Sequence, residues 1–318
     1  MNYDVFNGDA DGIISLIQLR LAKPLESTLV TGVKRDINLL GKIDAKAGDS
    51  FTVLDISMEK NATALNTILA NECSVFYADH HRSGDIPTSS KLDAHIDLDP
   101  NTCTALIVDA LLEGQFHDWA ITAAYGDNLI AKADELADKA GYDALQKAQL
   151  KELGTLVNYN GYGASEADLH IPPAELFQQL LKYRSPFEVF DDKSSPFYQL
   201  QSAYQTDIAL AEAAQASYSG KSLTIITLPN EAWSKRVSGV FGNQLANQTP
   251  NKAHAVLTEN LDGSFLVSLR APLNNKQGAG DICSQFDTGG GRAAAAGINV
   301  LKQSELQRFI EVTESFYQ

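Results

Sequence analysis

The residues best suited to chemistry are acids and imidazoles, and their placement is informative. Asp9 and Asp11 follow a short β-type run at residues 3–6, Asp55 ends the run VLD, and Asp79, His80 and His81 follow the strand-like SVFYA. In an open parallel sheet, functional side chains gather beyond the carboxyl ends of the strands. A single Asp at a strand end commonly caps a helix or forms a turn, and Asp9 or Asp11 alone would cap the helix that starts near Ile13. That account fits the whole set less well, because two adjacent histidines are poor turn formers. Carboxylates brought together repel one another and stay ionised only around a cation. Mixed carboxylate and imidazole donors suit Mn²⁺, Fe²⁺ or Zn²⁺, with Mg²⁺ where imidazole is marginal. The donors suffice for two ions, and two ions about 3.5–4 Å apart would clamp the attacking and leaving oxygens of a phosphoryl transfer.

The elements that must position these groups alternate in type. Strand signals at residues 3–6, 27–33, 51–56 and 74–78 are separated by helical stretches at 13–21 and 62–70, a βαβ pattern that implies a parallel sheet covered on both faces. From about 105 to 183 the pattern is helical. The segment 184–197, with two prolines and KSS, reads as a linker. Beyond it, 200–217 reads as a helix and 222–227, 253–258 and 264–269 as strands. The expected fold is α/β: an N-terminal doubly wound, mainly parallel sheet with a helical segment (1–183), then a smaller C-terminal mixed α/β domain (198–318) across a cleft.

Composition narrows the function. The chain has 318 residues, 25 Lys and Arg against 40 Asp and Glu, and a formal net charge of −15. Long duplex DNA is disfavoured as a partner, because binding it takes many cationic phosphate contacts. A small phosphate pocket needs only a few cations. Cys73, Cys103 and Cys283 suggest neither a disulfide framework nor a Cys-x-x-Cys metal site. With no signal core and no apolar run of membrane-spanning length, the chain reads as a soluble cytoplasmic protein with no membrane partner.

In sequence order, NGDADG at 7–12, VLD at 53–55, DHH at 79–81 and YGDN with Asp127 resemble the four motifs of the DHH phosphoesterase superfamily. SLRA at 268–271, GAGDICSQF and TGGGRAAAAG at 288–297 resemble its C-terminal associated domain. The resemblance spans nearly the whole chain. It implies a hydrolase with two Mn²⁺ ions, or Mg²⁺, whose active site lies between the catalytic and substrate domains. Asp9 and Asp55 would hold the first ion, and Asp11, Asp55, His80 and Asp127 the second, with a bridging hydroxide as nucleophile. His81 would meet the substrate phosphate, and Asp79 would orient a histidine. Within the superfamily the chain looks most like the oligoribonuclease and phosphoadenosine-phosphate phosphatase branch. Its substrates would be short oligoribonucleotides, linear dinucleotides such as pGpG, or nucleoside bisphosphates. Cyclic-dinucleotide hydrolysis, RecJ-like exonuclease action and nucleotide sensing without efficient turnover are the alternatives, and a homodimer is compatible with all of them.

Two positions depart from the pattern. Asn7 stands where many members carry a metal-binding His, so Asn7 is either a weak ligand or a turn former. Arg292 stands where the glycine-rich motif usually ends in His. Gly289, Gly290 and Gly291 would let backbone N–H groups approach a phosphate, with Arg292 at a helix start completing the cradle and Arg270 as a second phosphate ligand. Thr102 or Thr104 would cap the following helix. His95 would pair near Asp97 and Asp99, while His117, His170 and His254 match no motif. Trp233, Lys235 and Arg236 offer a stacking face of little weight.

Overall fold

The computed structural model describes Met1–Gln318 and divides into two compact units, Met1–Ser202 and Ala203–Gln318. In the first unit, strands β1 (Asn2–Phe6), β2 (Thr28–Val30), β3 (Ser50–Leu54), β4 (Ser74–Asp79) and β5 (Leu92–Ile96) form one sheet in the order β2-β1-β3-β4-β5. All four pairings are parallel. The strand order reverses at β1, which puts the carboxyl ends of β1 and β3 side by side at the switch point, where ligands bind in such sheets.

Alternation along β1 shows why both faces are covered. Tyr3 and Val5 join a core with Phe51, Val53, Val75 and Tyr77 and with Leu65 and Ile68 of helix α2 (Met58–Ala70). Phe6 points the other way, its ring 5.7 Å from Phe177. That face carries α1 (Ala10–Ala22) with α3 (Thr104–Leu111), α4 (His117–Gly126), α6 (Ala144–Asn160) and α7 (Pro173–Leu180), while α5 (Ile130–Lys139) packs on α4. Helix α1 is buried along most of its length, as expected for a helix between a sheet and further helices.

The segment expected to be a linker is folded into the first unit. It holds the short helix α8 (Glu188–Asp191), and Val189, Ser195 and Phe197 are buried. Pro196 opens α9 (Pro196–Glu212) instead of breaking the chain, a position where its missing N–H costs nothing. The contacts divide after Ser202, inside α9.

In the second unit, β6 (Ala216–Ser219), β7 (Leu223–Leu228), β8 (Ala253–Glu259), β9 (Phe265–Arg270), β10 (Gly289–Gly291) and β11 (Ala295–Leu301) form a mixed sheet in the order β10-β11-β9-β8-β7-β6, parallel only between β7 and β8. Helix α10 (Ala232–Gln248) packs on β8 and β9. Ile282 and Cys283 of α11 (Ala279–Cys283) and Phe309 of α12 (Leu306–Tyr317) join the main core of this unit.

One buried ion pair ties α1 to the sheet. Arg20 donates through Nε to Asp4 Oδ2 at 2.8 Å, through Nη2 to Asp4 Oδ1, and to Thr52 Oγ1 at 3.0 Å, while Ser27 Oγ donates to Asp4 at 2.6 Å. Removing one partner strands the other charge inside. Arg20→Ala is expected to cost about 3–5 kcal/mol in denaturant unfolding, and replacing Asp4 and Arg20 together by apolar residues much less. Equal losses in the single and double variants would contradict this account.

Candidate metal centre

The strand ends of the first unit bring together Asp9, Asp11, Asp55, Asp79, His80 and His81, and the C-terminal end of α4 adds Asp127. Asp9 is the N-cap of α1: its Oδ1 accepts from the N–H groups of Asp11 and Gly12 at 3.0 and 3.1 Å. Asp11 caps a different helix, since its two oxygens accept the N–H groups of Thr104 and Ala105, both at 2.8 Å. The N-cap residue of α3 is Cys103, whose side chain makes no capping bond. The expected capping role of Thr102 or Thr104 is therefore filled by Asp11 from 93 positions away. Both threonines serve the site instead. Thr104 Oγ1 donates to Asp55 Oδ1 at 3.2 Å, and the Thr102 carbonyl lies 3.0 Å from His80 Nδ1.

That contact settles the His80 tautomer. A carbonyl only accepts, so Nδ1 carries a proton and, in the neutral ring, Nε2 is the nitrogen with the lone pair. Nε2 faces the acids, 3.4 Å from Asp55 Oδ1 and 3.6 Å from Asp11 Oδ2. His81 Nδ1 lies 2.7 Å from Asp79 Oδ1 and 3.7 Å from Asp55 Oδ1. Donor atoms of Asp55, His80 and His81 all lie within 4.8 Å of one another. Asp55 has φ 57°, in the left-handed region, which costs a non-glycine residue energy and persists where surrounding structure imposes it. Asp79 Oδ2 is buried without a partner.

The electrostatics fit a cation here. Burial, then the charges of Asp11, Asp9, Asp79 and Asp127, push the Asp55 carboxyl well above its usual range. An anionic Asp55 is thus unfavourable unless positive charge joins it. A carboxylate, an Nε2 lone pair and an orphaned carboxylate oxygen nearby make a donor set for a divalent ion.

Asp9 and Asp127 face a different cation. Lys34 Nζ pairs with Asp9 Oδ2, lies 3.0 Å from Asn158 Oδ1 and 3.8 Å from Asp127 Oδ1, and sits 5.5 Å from the Tyr162 ring centroid. Burial alone would lower the lysine, but Asp9, with Tyr162 and Asp127, more than offsets it and holds Lys34 above its usual range. Burial would likewise raise Asp9, but Lys34 pulls it below the ordinary carboxylate range. Neither Lys34 nor Asn158 stands in a recognisable motif. The available signal was a cation in the loop after β2, at the same sheet edge as the acids.

Asn7 Nδ2 donates to the Lys34 carbonyl at 3.1 Å, and its Oδ1 is buried without a partner.

The glycine-rich candidates lie in the second unit and take a different form. Gly289, Gly290 and Gly291 form the edge strand β10, paired with β11, so Arg292 follows a strand and not a helix start. Gly289 and Gly291 answer to packing, since a Cβ would lie 1.8 Å from the Cys283 carbonyl oxygen at Gly289 and 2.5 Å from Ala296 Cα at Gly291, whereas Gly290 faces open space. Arg292 is exposed. Arg270 is buried, with Nε on Asn243 Oδ1 at 2.6 Å, Nη1 on Ser268 Oγ and the Leu269 carbonyl, and Nη2 on the Gly239 carbonyl. Its guanidinium joins α10 to β9, which gives it a structural use that the phosphate-ligand expectation did not include. Among the other histidines, His95 pairs with Asp93 at 3.0 Å and not with Asp97 or Asp99, His117 meets Asp109, and His170 meets the Tyr159 hydroxyl. Arg236 is paired with Asp207.

Residues 220–318 match the DHHA1 domain family. Among solved structures, an exonuclease RecJ bound to manganese aligns with TM-score 0.57 at 16% identity, over 99% of this chain and 89% of the other. A pGpG-specific phosphodiesterase, PggH from Vibrio cholerae, aligns with TM-score 0.55 at 14% identity, over 100% and 99%. RecJ from Thermus thermophilus with Mn²⁺ aligns with TM-score 0.58 at 16% identity, the chain spanning 52% of its length. A comparison with curated proteins gave no match. The chain thus shares the fold of these RecJ and PggH structures, and its residues 220–318 match the DHHA1 domain family. No helix is long and apolar enough to cross a membrane.

The buried acids set a sign for stability. Asp55 binds its proton more tightly in the fold than in the unfolded chain. In the metal-free protein its contribution is therefore favourable at low pH and lost as pH rises from near 3.8 through its raised folded value. At neutral pH under EDTA, Asp55→Asn is expected to melt above wild type, with the gain shrinking on acidification. A lower melting temperature for Asp55→Asn would contradict this.

Proposed function

We propose that the protein is a divalent-metal-dependent phosphoric ester hydrolase acting on short nucleotides, with linear dinucleotides such as pGpG as the leading class. The observation that carries this reading is the convergence of Asp55, His80 and His81 at the carboxyl edge of the sheet. Asp55 and His80 Nε2, with Asp11 beside them, would hold the ion. A divalent ion supplies Lewis-acid polarisation of a phosphoryl oxygen and neutralises developing charge. The protein's own contribution is orientation. Thr102 fixes the His80 tautomer, and Asp79 fixes His81 with the proton on Nδ1. His81 Nε2 is then the nitrogen available to a phosphate oxygen or a leaving group.

Two considerations support the substrate class. A chain of net charge −15 repels long polyanions unless cations are locally concentrated. Its fold also matches the pGpG phosphodiesterase over essentially the full length of both chains. Mn²⁺ is the first metal to test, because RecJ structures with Mn²⁺ share the fold.

The test is a hydrolysis panel with Mn²⁺ or Mg²⁺: bis-p-nitrophenyl phosphate, pGpG, a cyclic dinucleotide, phosphoadenosine phosphate and polyphosphate. Expected are turnover of pGpG abolished by chelation and by Asp55→Ala, and a kcat for His81→Ala lower by about 10²–10⁴-fold, the usual worth of a positioned acid–base group. Tight nucleotide binding with no product across the panel would favour the sensor instead.

A further inference from the structure

The resemblance implies two metal ions, with Asp9 and Asp55 at the first, but Asp9 is already committed. Asp9 spends Oδ1 on the N–H groups of Asp11 and Gly12 and Oδ2 on Lys34. The groups around Lys34 Nζ are two carboxylates and an amide oxygen, from Asp9, Asp127 and Asn158. Hard oxygen donors of this kind are what Mg²⁺ or Mn²⁺ would otherwise take.

The lysine is built into place. Its N–H donates to the Gly161 carbonyl at 2.8 Å, and its own carbonyl accepts from Asn7 Nδ2 at 3.1 Å. Gly161 lets the end of α6, which carries Asn158, close on Asp9: a Cβ there would lie 3.0 Å from both Asp9 Cα and the Gly8 carbonyl. Asn7 and Lys34 therefore act together. The residue standing where relatives carry a metal-binding His holds the backbone of the residue whose ammonium meets Asp9.

We propose that the Lys34 ammonium is a built-in cation that takes the place of one of the two metal ions, so that the site holds a single divalent ion at Asp55 and His80. This rests on the metal-centre reading above. The Asn7 amide is the positioning residue for that ammonium.

The full chain, stripped with chelator and reloaded with Mn²⁺, is measured by calorimetry, by elemental analysis after desalting and by electron paramagnetic resonance. Wild type is expected to take up one ion per chain and give the six-line spectrum of isolated Mn²⁺. Lys34→Ala vacates the Asp9–Asn158–Asp127 donors and is expected to take up two ions and give a spin-coupled spectrum. Lys34→Arg keeps the charge and is expected to stay at one. Circular dichroism checks that each variant folds. Should Lys34→Ala not fold, the wild-type count and spectrum still decide, with Lys34→Arg as the folded control. Two ions in wild type would overturn the proposal while leaving the metal centre standing, as would one ion in both wild type and a folded Lys34→Ala. No ion in either protein would overturn the metal-centre reading itself.

Discussion

The constraint on which the first unit depends is electrostatic. Asp9, Asp11, Asp55 and Asp79 are buried at one edge of a parallel sheet, with the Asp127 side chain only 5% exposed beside them. Unpaired buried carboxylates do not stay charged: they pair, accept hydrogen bonds or take up protons. Each acid here has a different solution. Asp11 receives two backbone N–H groups at the start of α3, Asp9 receives two more and an ammonium, and Asp79 meets His81. Asp55 receives a threonine hydroxyl and stands among the rest, and burial with the neighbouring charges drives its carboxyl towards the neutral form. Positive charge is therefore wanted beside Asp55.

Much of this arrangement was legible in the sequence. Strands with strong β character and buried flanks, such as VFYA in β4 and TIIT in β7, declared themselves, and acids just beyond such strands marked the sheet edge. Strand β5, LDAHI, is a half-exposed edge strand carrying an acid and a histidine, so it lacks the apolar signal. Strands β10 and β11 are rich in Gly and Ala, and their pairing rests on close packing against α11 that no local propensity encodes. The two prolines of 184–197 suggested a break, whereas Val189 and Phe197 supply the apolar area that docks the segment.

The site was legible to the extent that its groups stand in short motifs. The convergence of Asp9, Asp11, Asp55 and the DHH run follows from topology, because parallel strands deliver their carboxyl ends to one side. Lys34 was not legible. A lysine in a loop is solvated by default, and here its charge acquires meaning only from distant partners, Asp9, Asp127 and Asn158, the last 124 positions further on. The same holds for Asp11 and Thr104, a cap whose two halves lie in different helices.

Cap and ligand are accordingly not rival roles for these aspartates. A carboxylate has two oxygens and about four acceptor directions, enough to satisfy helix N–H groups on one side and face a cation on the other. Asp9 divides itself in this way between α1 and Lys34. A divalent ion must be drawn from solution, so its share of the neutralisation depends on its concentration. An ammonium carried by the chain is present at fixed stoichiometry in every folded molecule. On the single-ion proposal, Lys34 keeps the geometry of Asp9 whatever the metal supply, and dependence on a captured ion is confined to Asp55 and His80, with Asp11 beside them.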